Sequence, residues 1–194
     1  TGDFILGGTE SAFQQDTSLT EEDEEIDMGR GKKTIALIPG AFKPPHRGHA
    51  DMVRKYLEGD GVPKVDKVVV LISAPLKNAR KLKNGREITA RDSERIWKEV
   101  LLPDVGEESL DILISDMASP ITSAYKYFDK NSNIDPASTT VILGASDKPD
   151  KNGLPDWNRW NKAEKYAKEG LEVLYGDEYA AGCTERSCGT PYSA

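Results

Sequence analysis

The chain has 194 residues, with 26 Lys and Arg against 33 Asp and Glu, for a formal net charge of −7. Residues 1–29 carry nine acids and no Lys or Arg, so residues 30–194 hold 26 bases and 24 acids and are close to neutral. The length allows one domain with a proper core plus a tail. No apolar run approaches the roughly 18 residues of a membrane span, and no secretory leader pattern is visible. A cytoplasmic protein is the expectation.

Taken in chain order, residues 1–30 mix small polar residues with the run Glu21-Glu22-Asp23-Glu24-Glu25. Like charges repel and little in this stretch can bury itself, so it is predicted to be a disordered acidic arm. From Lys33 the texture changes, and residues 31–194 read as one domain. Five short runs are apolar and β-branched: 34–38, 67–73, 111–115, 139–144 and 171–175. Continuous apolar runs suit strands covered on both faces, as in parallel sheets.

Helical patterns lie between the runs. Met52, Val53, Tyr56 and Leu57 recur at helical spacing, with Gly59 as a stop. Thr89 and Asp92 form a capping-box pattern ahead of Ile96, Trp97, Val100 and Leu101. Ser119-Pro120 places a capping residue before a first-turn proline. Asp156 is predicted to cap a helix carrying Trp157, Trp160, Ala163 and Ala167. This alternation predicts an α/β fold with a Rossmann-like, doubly wound, parallel five-stranded sheet. Ligands in such sheets bind beyond the carboxyl ends of the strands, where the strand order reverses.

The loop after the first strand holds both histidines of the chain, His46 and His49, in a Gly- and Pro-rich turn into a helix. Three residues apart on a helix, they share a face. They sit where unpaired backbone N–H groups and the helix dipole attract phosphate. Gly40 is expected to turn the chain off the strand, Gly48 to let a nucleotide approach the backbone, and Lys43 and Arg47 to add positive charge. Donors of this kind suit phosphoryl or nucleotidyl transfer, which depends on positioning and charge stabilisation. Sequences for a nucleophile elbow, a Walker A loop or a dinucleotide fingerprint are missing.

Residues 40–49, G-A-F-K-P-P-H-R-G-H, resemble the G-x-F-x-P-x-H-x-G-H signature of the HxGH nucleotidyltransferase superfamily. This cytidylyltransferase-like group includes nicotinamide-mononucleotide, phosphopantetheine and cytidylyl transferases. The resemblance implies a Rossmann-like domain in which a phosphate of a small acceptor attacks the α-phosphate of ATP or CTP. Pyrophosphate leaves, and Mg²⁺ is bound mainly through the triphosphate. By motif match, His46 and His49 would bind the triphosphate and stabilise the pentavalent transition state, with Lys43 beside them. Gly40, Ala41, Phe42 and Gly48 would line the nucleotide. Many members have Asp where Lys43 stands, and a Lys there resembles phage-encoded members.

Gly144-Ala145-Ser146-Asp147 followed by Trp157-Asn158-Arg159-Trp160 is similar to the G-x-D … W-x-R-W segment of nicotinamide-mononucleotide adenylyltransferases, with one residue inserted before Asp147. The similarity implies nucleotide contacts from Gly144 and Asp147, and a nicotinamide-side role for Trp157. Ordinary core packing of Trp157 and Trp160 stands equal to that role. Residues 77–95 hold seven bases, among them Arg86 and Arg91. They are read either as a solvated face or as a binding site for acceptor phosphate or pyrophosphate. The stretch lacks the interleaved aromatics expected of nucleic-acid binding. Small-molecule substrates are therefore the expected partners.

The family's second signature, approximately I-S-x-T-x-x-R, is not found before Ala194. The expectation is a chain cut inside that motif, with the native protein continuing. Cys183 and Cys188 fit a zinc half-site, a disulfide or unpaired thiols, and unpaired thiols are expected. No metal ligand set is assigned. Adenylyl transfer to nicotinamide mononucleotide is the leading reading. Cytidylyl transfer to a phosphorylated alcohol and a non-catalytic nucleotide-binding or structural phage module are the alternatives. A class I aminoacyl-tRNA synthetase is disfavoured by length and by the absence of a K-M-S-K-S-like loop.

Overall fold

Strand β1 (Lys33–Gly40) is apolar on both faces, and its alternate residues feed two separate cores. The structure is a computed structural model that describes residues 31–74 and 81–182. The acidic arm, Lys77, Arg80, both cysteines and the chain end at Ala194 lie outside the described residues. Lys33 opens the α/β unit.

Helix α1 (Arg47–Glu58) leads to β2 (Lys67–Ile72), and helix α2 (Ala90–Arg95) leads to β3 (Leu110–Ile114). Helix α3 (Pro120–Phe128) leads to β4 (Thr139–Leu143), and helix α4 (Ala163–Tyr166) leads to β6 (Glu172–Leu174). These strands form one five-stranded sheet in the order β3-β2-β1-β4-β6, with every neighbouring pair parallel. The predicted Rossmann-like fold is therefore present. A two-stranded ribbon absent from the sequence reading pairs β5 (Ala145–Ser146) with β7 (Ala180–Ala181).

Ala36, Ile38, Val68, Val70 and Ile72 point to one face, where they pack with Val53 and Tyr56 of α1 and with Trp97. Ile35, Leu37, Val69, Leu71, Val141 and Leu143 point to the other, against Ala124 and Phe128 of α3 and against Trp160. This strict alternation follows from the two-residue period of a strand. Each fully buried aliphatic side chain contributes about 1.5–3 kcal/mol. The sheet is thus covered on both sides, as the continuous apolar runs required.

Three of the four predicted helix ends are present. Gly59 ends α1 with φ 73°, the Thr89/Asp92 capping box opens α2, and Ser119 caps α3 with Pro120 in its first turn. Two helices depart from expectation. Beyond Arg95 the winding loosens into π-type turns over Ile96–Leu101, with the Leu102 N–H donating to the Trp97 carbonyl. The wider turn buries Trp97 completely and leaves Val100 68% exposed, off the apolar face that helical spacing predicted.

The long helix predicted from Asp156 is instead a 3₁₀ turn, Asp156–Trp160, followed by the single turn of α4. Tertiary bonds take its first residues. The Asp156 carboxylate accepts from the Ser146 N–H at 2.9 Å, and Arg159 and Trp160 both donate to the Gly144 carbonyl, at 3.1 and 3.0 Å. In 3₁₀ geometry residues three apart eclipse one another. Trp157 and Trp160 nevertheless differ in burial, and only Trp160 is enclosed.

Candidate functional site

The strand order reverses between β1 and β4, and a cavity of about 340 Å³ opens beside the carboxyl ends of these two strands. It falls within the size range of small-molecule sites, at the low end. Its wall is built from the end of β1, the start of α1, the segment after β4 and the β5–β7 ribbon.

The turn out of β1 is made by Phe42. Its φ of 47° is left-handed, unusual for a non-glycine residue, and costs about 1–3 kcal/mol unless its surroundings hold it. Three contacts do so. The Phe42 ring meets Trp97 edge-on at 5.1 Å and His49 edge-on at 4.9 Å, and its carbonyl accepts from the Ser93 hydroxyl of α2. The expectation that Gly40 supplies the turn is corrected. Gly40 stays in the sheet, paired with Ile72, and a Cβ there would lie 2.7 Å from the Phe42 ring. Its role is to leave room for that ring.

His46 and His49 occupy the N-cap and the third position of α1. The His46 Nδ1 accepts from the Gly48 N–H at 3.1 Å, and the His49 Nδ1 accepts from the His46 N–H at 3.1 Å. This is a capping box in which two imidazoles replace the usual hydroxyl and carboxylate pair. The rings stack at 3.7 Å, 18° from parallel. With each Nδ1 accepting, the proton of each neutral ring sits on Nε2, the tautomer that the hydrogen-bond network assigns.

Burial drives the His49 pKa down to about 3, helped by the neighbouring His46 ring. The His46 pKa is lowered by burial and then by the positive charge of Lys148. Both rings are therefore neutral N–H donors near pH 7, at the positive end of a 12-residue helix.

Gly40, Ala41, Phe42, His46, Gly48 and His49 share this one cavity. Seven other residues singled out in the sequence lie outside its wall, among them Arg47, exposed at the first position of α1. Lys43 is half-buried in the loop beyond Phe42. Asp147 is exposed, its carboxylate close over Gly182. Gly144 is buried under the cavity, its carbonyl taken by Arg159 and Trp160. Trp157 donates to Asp177 at 2.6 Å, away from the cavity. Arg86 pairs with Asp92 at 2.8 Å in a second groove, lined also by Leu82 and Ile88. Arg91 pairs with Glu94 at 3.2 Å on an open helix face.

The structure adds wall residues that the sequence reading did not select: Asp51 and Met52 of α1, then Ser146, Lys148, Asp156 and Arg159 after β4. Arg159 lay within the tryptophan-rich segment already noted. Lys148 carried no signal beyond standing next to Asp147. The ribbon that closes this side is held by α1, since the Tyr56 hydroxyl accepts from the Ala145 N–H at 3.2 Å and donates to the Tyr179 carbonyl. Burial raises the Tyr56 pKa to about 12, so this hydroxyl stays protonated.

No known protein-family model matches the chain, and no curated protein matches it by sequence. Among solved structures it is similar to a bifunctional NMN adenylyltransferase/ADP ribose pyrophosphatase from Francisella tularensis, at 14% identity and a TM-score of 0.45. The likeness covers 76% of this chain, which spans 38% of the length of that protein.

Proposed function

We propose that this chain is a nucleotidyltransferase. In this reading it moves a nucleoside monophosphate from ATP or CTP to a small phosphorylated acceptor, with adenylyl transfer to nicotinamide mononucleotide favoured. The observation that carries the reading is the imidazole capping box. Two stacked, neutral rings with protons on Nε2 stand at a helix N-terminus, inside a cavity at the strand-order switch.

An oxygen of the acceptor phosphate attacks the α-phosphorus, the bond from that phosphorus to the bridging oxygen breaks, and pyrophosphate leaves. The protein supplies no covalent nucleophile. Its part is positioning and electrostatic stabilisation, the main sources of rate in transfers of this kind. The Nε2–H groups of His46 and His49 donate to α-phosphate oxygens as negative charge builds on them.

Among the described residues no group of three or more His, Cys, Asp or Glu could hold a metal ion. In this reading Mg²⁺ arrives with the triphosphate, since this ion keeps several waters and needs only one or two carboxylates. Asp51 and Asp156 are the carboxylates of the cavity wall. When bound, the ion neutralises charge on the leaving pyrophosphate.

The test is pyrophosphate release with ATP or CTP, Mg²⁺ and a panel of phosphorylated acceptors. His49→Ala is expected to lower the rate by roughly 10²–10³, the usual loss for a preorganised donor. Equal rates in wild type and variant would remove the proposed role of His49.

A further inference from the structure

Among the described residues the cavity wall carries two permanent cations, Lys148 and Arg159, and they do different things. The charge of Lys148 reaches His46 and lowers its pKa, which places that lysine at the histidine end. Arg159 does not act on either histidine. Its electrostatic neighbours are Asp156 and Tyr56.

The Arg159 guanidinium is held in one orientation. Its Nη2 donates to the Gly144 carbonyl at 3.1 Å, and its Cζ lies over the Trp160 ring, 5.1 Å from the ring centre. Asp156 acts on it electrostatically without a salt-bridge contact, and one oxygen of that carboxylate accepts from the Ser146 N–H. Burial lowers the Arg159 pKa, an effect that Asp156 and Tyr56 offset only in part. Nε is enclosed without a partner. Nη1 is neither enclosed nor bonded to the described protein, so it is the nitrogen that Arg159 presents to the cavity it lines.

A desolvated, pre-oriented guanidinium with an open N–H edge is costly to keep without an anion, and it suits phosphate geometry. Resting on the nucleotidyl-transfer reading, we infer that Arg159 binds the phosphomonoester of the acceptor, in an anion subsite separate from the histidine pair. The reaction brings two anions together, and each requires its own counter-charge. The histidines and the α1 N-terminus serve the α-phosphate, while Arg159 holds the attacking phosphate from the other wall. Phosphorylated acceptors are thereby selected over their dephosphorylated counterparts.

The test uses the full chain and two probes, inorganic phosphate and α,β-methylene ATP, whose P–C bond blocks transfer. Calorimetry first measures affinity for the ATP analogue, then affinity for phosphate in analogue-saturated protein. R159Q is expected to weaken phosphate by at least about tenfold, the loss typical of a charge-assisted hydrogen bond, with analogue binding unchanged. That unchanged binding also reports that R159Q is folded. R159K, which keeps the charge and loses the fixed planar donor, is expected to fall between the two.

Phosphate affinity in R159Q equal to wild type overturns the assignment, as does no phosphate binding in wild type. Loss of analogue affinity instead assigns Arg159 to the triphosphate and also overturns it. If wild type takes phosphate through Arg159 but does not bind the analogue, the anion subsite stands and the nucleotidyl-transfer reading fails.

Discussion

At the scale of single residues, the histidine pair links stability to pH. The His49 pKa falls from 6.5 in an open chain to about 3 in the fold. Between those values the unfolded chain binds a proton that the folded chain refuses, so stability drops as pH falls through that window and is complete above it. The slope contributed by His49 approaches about 1.4 kcal/mol per pH unit. Urea unfolding from pH 4 to 7 is expected to show this slope, and His49→Asn to flatten it. Long-range ¹H–¹⁵N spectra at pH 7 are expected to show both rings neutral with the proton on Nε2. A titration of His49 near 6.5 would contradict the capping-box geometry.

Much of this was legible from two histidines three apart at a helix start. The direction of each ring was not. Whether Nδ1 faces the backbone or the ligand depends on the extended backbone at His46 and on the Phe42 ring packed against His49. Those residues are local, but the Phe42 ring is held by Trp97 and Ser93 from a distant segment, which no local pattern contains.

At the scale of elements, α2 contributes to the site without entering it. The Ser93 hydroxyl donates to the Phe42 carbonyl at the residue whose left-handed turn shapes the cavity wall. Thr89 caps the same helix through the Asp92 N–H. The two substitutions should therefore separate. Thr89→Ala is expected to cost about 1 kcal/mol with nucleotide affinity unchanged. Ser93→Ala leaves a buried carbonyl unpaired, at about 1–3 kcal/mol, and is expected to weaken nucleotide binding as well. Chemical denaturation alongside nucleotide titration checks both, and parallel behaviour of the two variants would refute the link from α2 to the cavity.

The same scale explains why Asp156 misled. Its spacing ahead of Trp157 and Trp160 has the form of a helix cap, but the carboxylate caps the Ser146 N–H, in a different segment. Local sequence shows which groups can accept a hydrogen bond. It does not show which donor the fold will bring nearest.

At the scale of the whole molecule, the cavity depends on how closely β1 and β4 approach. Gly144 donates to the Leu37 carbonyl at 2.8 Å, and a Cβ at Gly144 would lie 2.8 Å from that same oxygen and 2.9 Å from the Ile38 side chain. The obstacle is backbone in the middle of the sheet, so it cannot simply rotate away. Gly144→Ala is expected to destabilise the fold by about 1–3 kcal/mol through overpacking. It should also weaken nucleotide binding, because it pushes apart the two strands that frame the cavity. A melting point and nucleotide affinity equal to wild type would refute this.

Strand positions, three of the four helix ends and the two-sided burial of the sheet could be read from the chain alone, because apolar periodicity and capping chemistry act within a few residues. So could the placement of both histidines at one helix start. Only the tertiary structure decided that the strands lie in the order β3-β2-β1-β4-β6, and that Lys148 and Arg159 line the cavity while Lys43, Arg86, Arg91, Asp147 and Trp157 do not. Loops follow no repeating dihedrals, so the direction of each side chain is set by the neighbours it meets after the sheet has closed.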